Sequence, residues 1–202
     1  MPPLRTLFSA PSLRRLLSPL VLVAFALFTT ACAAHYTVIK QSGPPSALLG
    51  VQAIAVQYDY SQIRIGNTDR MTEEQWLSSR KQESHRQTYL DTKNSANIGV
   101  VEGLTKNLNQ VVVSEGQAGP GQIQVTVTYL EWEEGLYAAV IAWPSWIKAR
   151  IIFSLDGQVV DEIEIQVSQD ATLTTPAPTQ RIHTCGQRIG TYAAEFVRET
   201  AS

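Results

Sequence analysis

The chain has 202 residues, of which 44% are apolar and 17% are charged, so it suits one globular domain and excludes a long, disordered charged tract. The first 31 residues hold three arginines and no acid, which leaves 13 basic against 18 acidic residues, a net charge of −5, for the remainder. A net negative domain lacks the positive surface of a nucleic-acid-binding protein, and charge alone would not attach it to anionic lipid.

The first 31 residues divide into the three zones of a signal peptide. A basic stretch precedes a 13-residue apolar run, Leu16 to Phe28, and small residues then lead to Cys32. A membrane-spanning helix needs about 20 apolar residues, and Pro19 interrupts this run near its start. The sequence therefore predicts a signal peptide over residues 1–31.

The segment Thr29-Thr30-Ala31-Cys32 resembles the lipobox of bacterial lipoproteins, although Thr29 stands where that family prefers an aliphatic residue. The resemblance implies that diacylglycerol is attached to the Cys32 thiol and that the signal peptidase cuts before it. Two or more acyl chains anchor a protein stably, whereas one binds marginally. Because Ala33 and not aspartate follows, the family's sorting rule implies the outer membrane of a Gram-negative host, with the domain facing the periplasm. The alternative is an ordinary secretory signal in which Cys32 is incidental.

Residues 32–49 are predicted to hold the lipidated cysteine followed by a tether. A glycine and two prolines in this segment favour a linker over a core element. A single globular domain is predicted over residues 50–202. Its first element is a strand over 51–60, where apolar and polar residues alternate, and a loop over 61–71 follows.

Helical patterns come next along the chain. Thr72 and Gln75 have capping-box spacing, which predicts the start of an exposed helix that runs to about Leu90. We expect a polar break at residues 91–97, a second and more amphipathic helix over about 96–109, and a short strand over 111–113.

The clearest β-region follows a loop at 114–121. Alternation predicts strands over 123–129, 146–155 and 159–167, and Asp156-Gly157 is a strong signal for a hairpin turn. A loop and a closing helix over about 179–199 complete the chain. This order predicts the α+β class: an antiparallel sheet meander with helices packed on one face.

This layout resembles that of small uncharacterised envelope lipoproteins of Gram-negative bacteria. The resemblance covers most of the mature chain but is one of layout, so it transfers no functional residue.

Neither a metal site nor another cofactor is predicted. The three histidines, His35, His85 and His183, lack metal-ligand spacing, and the chain has no Cys-x-x-Cys motif. Acids cluster at Glu131, Glu133 and Glu134, where two carboxylates on one strand face could flank a glycosidic bond. The alternative is a solvated strand end, which the sequence favours.

Two further features allow a structural and a functional interpretation. Cys185 lies on the apolar face of the last helix, where a buried small side chain is favoured over a reactive thiol. The uncharged segment from Leu136 to Trp146 holds Tyr137 and Trp143. Either it packs against the domain's own core, or it is an exposed aromatic loop in which Tyr137, Trp143 and Trp146 contact a membrane or a partner.

The sequence allows two classes of function. The leading hypothesis is a non-enzymatic, membrane-anchored envelope lipoprotein, an accessory or scaffold that binds another envelope component. The alternative is a periplasmic ligand-binding or hydrolytic domain, which needs a pocket with convergent polar groups.

Overall fold

The computed structural model describes residues 35–138 and 141–200, so the predicted signal peptide and Cys32 lie outside the described residues. The described strands are β1 (Tyr36–Lys40), β2 (Ala53–Asp59), β3 (Arg64–Ile65), β4 (Val112–Glu115), β5 (Ile123–Glu133), β6 (Leu136–Ala138), β7 (Ile141–Trp143), β8 (Ser145–Leu155) and β9 (Gln158–Gln169). The described helices are α1 (Glu73–Ser79), α2 (Glu83–Asn107) and α3 (Pro178–Thr200). The predicted α+β class is confirmed.

Within the described residues, seven strands form one sheet in the order β1-β9-β8-β5-β2-β4, and β3 adds to the end of β5. The predicted meander is present, because β5, β8 and β9 pair antiparallel, and β1 pairs antiparallel with β9. The other half of the sheet is parallel, since β2 pairs in parallel with both β4 and β5. A parallel pairing needs a long crossover, which helices α1 and α2 supply between β2 and β4.

The core lies between one sheet face and the helix pair formed by α2 and α3. Inward-facing strand residues such as Val125, Ile151 and Ile163 are fully buried against this pair. The two helices approach closely through glycines, because a β-carbon added at Gly103 would lie 2.8 Å from the backbone nitrogen of Thr191. Glycines at spacing four on each helix therefore set the interhelical distance, a role that no larger residue could fill.

The predicted division between the two middle helices is wrong in position. Helix α1 begins with the predicted capping box of Thr72 and Gln75 but ends at Ser79, and α2 then runs unbroken through the expected polar break. Small and polar residues occupy the buried side of α2, including Thr92 and Ala96, so its inner face shows no apolar stripe. The tertiary contact with α3 stabilises this segment, where apolar periodicity gives no signal.

Part of the predicted tether is attached to the domain. Strand β1 lies within residues 32–49, and Tyr36 pairs with Ile165 of β9. Further on, the buried carboxylate of Asp161 accepts hydrogen bonds from the Ser42 backbone nitrogen at 2.6 Å and from its hydroxyl at 3.1 Å. The polar residue in the middle of β9 is thus a buried contact that fixes the incoming chain.

No helix within 35–138 or 141–200 combines the length and the apolar character needed to cross a membrane.

Candidate interaction site

Strands β6 and β7 form a separate two-stranded hairpin between β5 and β8, which we call the aromatic hairpin (residues 136–143). Leu136 pairs with Trp143, and Ala138 pairs with Ile141. Paired residues two positions apart share one face of a hairpin, so these four side chains form one apolar face. All four are exposed, Trp143 to 61%. Nothing in the described chain covers this face.

A glycine permits the chain to turn into the aromatic hairpin. Gly135 adopts a φ of +67°, in the left-handed region that favours glycine. A β-carbon at this position would also lie 2.7 Å from the carbonyl oxygen of Pro144 on the returning strand. The backbones at the two ends of the hairpin therefore lie closer together than a residue with a β-carbon at position 135 would allow.

Arg181, the fourth residue of α3, fixes the base of the aromatic hairpin, which is formed by Glu134 before it and Ser145 after it. Its side chain is completely buried and donates to the Glu134 carbonyl at 3.0 Å and to the Ser145 hydroxyl at 2.8 Å. It also donates to the carbonyls of Thr175 and Pro176 in the loop between β9 and α3. One guanidinium thus joins both ends of the hairpin and the neighbouring loop. Hydrogen bonds from a charged donor are stronger than neutral ones, so this base is firmly fixed.

The Glu134 side chain lies in the same region with one carboxylate oxygen, Oε1, buried and without a hydrogen-bond partner among the described residues. Burial raises its pKa to about 7, an effect that Glu133 adds to and that the positive charges of Arg80 and Arg181 oppose. A carboxyl group that loses its solvation without a partner favours the neutral form. The hairpin base therefore holds a group that titrates near neutral pH.

A groove of about 520 Å³ lies beside the aromatic hairpin. Its lining includes Trp143, Pro144 and Trp146, together with Trp76, residues 65–69 and Met71. The Arg80 guanidinium lies 3.5 Å from the centre of the Trp76 ring, which holds that ring in place. Three tryptophans in one groove present a large, rigid apolar surface to a ligand or a partner.

The sheet face that points away from the helices is different in character. Lys148 pairs with Glu164 at 2.8 Å and Arg150 with Glu162 at 3.2 Å, in a cross-strand charge pattern between β8 and β9. Such a face interacts favourably with water, so the exposed sheet offers no apolar docking surface comparable with the hairpin.

The three aromatic residues predicted to contact a membrane or a partner lie together at this end of the domain, with different exposure. Trp143 is exposed on the hairpin, while Tyr137 and Trp146 are half-buried. Leu136, Ala138 and residues 141–143 are exposed, whereas Ser145 and Ile147 at the start of β8 are buried.

The acidic cluster separates into residues with different partners. Glu131 forms an ion pair with Arg70 at 3.2 Å, and Glu133 accepts a hydrogen bond from the Gly135 nitrogen at 2.9 Å. Glu131 and Glu133 therefore each have a structural contact of their own, whereas Glu134 has a buried carboxylate oxygen without a hydrogen-bond partner among the described residues.

The histidines lie far apart in the fold. His35 stacks on Tyr192 with ring centres 4.3 Å apart, and the His183 Nε2 atom lies 3.2 Å from a carboxylate oxygen of Glu102. His85 lies near the start of α2. In the described residues, no group of three or more His, Cys, Asp or Glu side chains is placed to hold a metal ion.

Cys185 is completely buried, and burial raises the pKa of its thiol to about 12, as expected for the buried interpretation. Sequence reasoning missed Arg181 and Gly135, which build the hairpin base. A signal for Arg181 was present, because it lies four residues before Cys185 and so shares the inward face of the closing helix.

No protein-family model and no curated protein sequence matches this chain. Solved structures with a similar arrangement include PelC from Paraburkholderia phytofirmans, which was solved as a dodecamer, at 12% identity and a TM-score of 0.40, with 77% of this chain and 97% of that chain covered. A DUF330 protein from Xanthomonas campestris is similar at 11% identity and a TM-score of 0.40, with coverage of 82% and 93%. A minor lipoprotein from Acinetobacter baumannii is similar at 12% identity and a TM-score of 0.33, with coverage of 76% and 92%. Similarity at this level does not establish a shared activity or assembly.

Proposed function

We propose that this protein is a lipid-anchored lipoprotein of the bacterial envelope that acts as a non-enzymatic accessory or scaffold, and that the aromatic hairpin contacts another envelope component. In a Gram-negative host the anchor lies in the outer membrane and the domain faces the periplasm. The anchor is the Cys32 thiol, which follows the leader and the small residues of the lipobox-like segment.

The observation that carries the contact role is the combination of an exposed apolar hairpin face with a rigid base. Exposed apolar side chains that occur singly are normal on protein surfaces, whereas grouped ones indicate a contact site. The buried hydrogen bonds of Arg181 hold this group in one position. A contact site held in position loses less conformational entropy on binding.

The alternative, a tethered ligand-binding or hydrolytic domain, is favoured by one observation. The groove beside the hairpin is of a size that small-molecule sites commonly have, and the Glu133 carboxylate lies in its lining. Apolar small molecules soaked into crystals of the protein, or titrated while the fluorescence of the lining tryptophans is followed, test this role. Saturable binding that Trp146→Ala abolishes would favour the alternative.

The anchor is tested by expression of the full chain in a Gram-negative host, followed by membrane fractionation and intact-mass measurement. We expect the wild-type protein in the membrane fraction with the mass of an acylated Cys32, and Cys32→Ala in the soluble fraction. Under denaturing conditions the mature wild-type protein should titrate a single thiol, that of Cys185. A membrane-bound Cys32→Ala variant, or two titratable thiols in the mature wild-type protein, contradicts the lipid anchor.

The accessory role is tested by chemical crosslinking in intact cells. Wild type and Trp143→Ser are compared, since Trp143 is exposed and lies outside the central core. We expect crosslinked products in the wild type that are equally strong in Trp143→Ser and in the matched control Leu90→Ser, an exposed apolar change on α2, where the hairpin contacts lipid. Products weaker in Trp143→Ser alone would assign the protein contact to the hairpin. Recovery of the free protein alone from all three would contradict a role in binding another envelope protein.

A further inference from the structure

We infer that the aromatic hairpin lies against the same bilayer that holds the Cys32 lipid, with the side chains of Leu136, Ile141 and Trp143 in the headgroup region. This inference rests on the proposed lipid anchor and names the envelope component that the hairpin contacts. Three observations support it: the end of the domain at which β1 begins, the number of residues between Cys32 and Tyr36, and the distribution of exposed apolar residues.

Strand β1 begins at the end of the domain that carries the hairpin. It runs antiparallel to β9 with Tyr36 opposite Ile165, so its first residue lies on the side of β9 that leads to Gln169. Gln169 pairs with Ser145, the residue at which β8 begins after the hairpin. Ring contacts agree, because Tyr36 lies against Phe196 of α3 and His35 against Tyr192, one turn nearer to the helix start.

The chain length then restricts where the anchor can be. Cys32 lies four residues before Tyr36, which spans at most about 14 Å. A lipid on Cys32 therefore keeps Tyr36 within about 14 Å of the membrane surface, whatever path those four residues take, and Gln169 lies about 13 Å from Ile165 along β9. The opposite end of β9, at Gln158, lies about 23 Å in the other direction. A lipid at Cys32 therefore holds the hairpin end near the membrane.

The hairpin has the length and the side chains that suit the membrane interface. Each of its three-residue strands is about 10 Å long. Amphipathic elements at membrane surfaces bury their apolar face about 5–10 Å into the boundary between headgroups and acyl chains. Tryptophan is enriched at this depth, since its ring is apolar and its N–H can donate a hydrogen bond.

A second segment at the same end agrees with this orientation. The loop between β9 and α3 carries Leu173, which is 86% exposed, and residues 171–180 contain no charged side chain. The hairpin and the start of β8, residues 136–147, also contain none. Arg181 joins both segments through its hydrogen bonds. Other exposed large apolar residues of the described chain lie on different elements, for example Leu49 before β2 and Val112 on β4.

The test uses the full-length lipidated protein, reconstituted into phosphatidylethanolamine and phosphatidylglycerol vesicles with and without bromine on the upper acyl carbons. Bromine quenches the fluorescence of tryptophans that enter the bilayer. The chain has four tryptophans, and each is replaced by phenylalanine in turn. We expect Trp143→Phe to remove the largest part of the quenching and Trp132→Phe the smallest, because Trp132 is completely buried in the core.

The outcomes separate this inference from the proposed function. If the protein carries its lipid and binds the vesicles, but Trp143→Phe leaves the quenching unchanged, the inference is overturned and the anchor stands. If the protein carries no lipid and does not bind vesicles, both are overturned. A hairpin that remains unquenched in vesicles but crosslinks to an envelope protein through position 143 also overturns the inference, in favour of a protein partner. Circular dichroism of each variant confirms that its fold is retained.

Discussion

Replacement of Glu134 by glutamine should raise the stability of the domain above neutral pH and leave it almost unchanged in acid. The side chain lies at the base of the aromatic hairpin, and burial raises its pKa to about 7. In the unfolded chain the same carboxyl group titrates near its ordinary value of about 4.5. Between these two values the folded state holds a proton that the unfolded state has released.

The direction of the pH effect follows from this difference. Where the folded state binds more protons than the unfolded state, the free energy of unfolding falls as the pH rises. The contribution of Glu134 is therefore fully present below about pH 4.5 and is lost as the pH rises through about 7. The separation of the two pKa values corresponds to at most about 3 kcal/mol. Glutamine has nearly the shape of the protonated acid but cannot ionise, so it should not show this loss.

Urea unfolding of wild type and Glu134→Gln, followed by circular dichroism at about pH 5 and about pH 8, measures the difference. We expect similar midpoints at the lower pH and a midpoint for the variant that is higher by roughly 1–2 M at the upper pH. Glu133→Gln is the matched control, and it should keep most of the wild-type pH dependence because the Glu133 charge is a secondary cause of the raised pKa. Equal pH dependence in wild type and Glu134→Gln would refute this reasoning.

Three further replacements and one control replacement test the packing in the same urea assay. Gly190→Ala should lower the free energy of unfolding by about 2 kcal/mol or more, because its β-carbon would lie 2.8 Å from the Leu104 nitrogen, and this clash outweighs the gain of about 1 kcal/mol in helix propensity. Gly43→Ala, with open space around it, should change stability by less than about 0.5 kcal/mol, and equal effects of the two changes would contradict the close helix contact. Arg181→Met should cost about 3–5 kcal/mol, since it leaves buried carbonyls without donors, and a loss below about 1 kcal/mol would show that water replaces the guanidinium. Gly135→Ala should destabilise by about 1–3 kcal/mol and shift the Trp143 emission, because alanine is strained at the positive φ of this position. An unchanged emission spectrum would contradict the requirement for glycine where the hairpin begins.

The sequence predicted the turn and the helix start that depend only on residues close together in the chain. Asp156 and Gly157 both adopt positive φ values, as the hairpin signal requires, and the Thr72 capping box is present. The continuous helix α2 was not predicted, because residues such as Thr92 form its inner face. A different signal was available in the glycines at spacing four, at 99 and 103 in α2 and at 186 and 190 in α3. Two such pairs in separate helices indicate a close helix crossing.

The parallel half of the sheet could not be predicted from alternation alone. Strand β2 shows the same alternating pattern whether its neighbours are parallel or antiparallel, because the pattern reports only which side faces the core. The pairing of β2 with β5 depends on a crossover of more than fifty residues, which no local pattern encodes. The meander of β5, β8 and β9 was predictable, since its strands follow one another with short connections.

The exposed hairpin is held by buried groups that do not contribute to the central core. A hairpin with three residues in each strand is not stable alone in water. Here it exists because Gly135 allows close backbone contact and because Arg181 satisfies the carbonyls at its base. The side-chain hydrogen bonds of Arg181 go to the two ends of the hairpin and to the loop before α3. This arginine therefore holds an apolar face in a fixed position outside the core, where only a contact with another body could bury it.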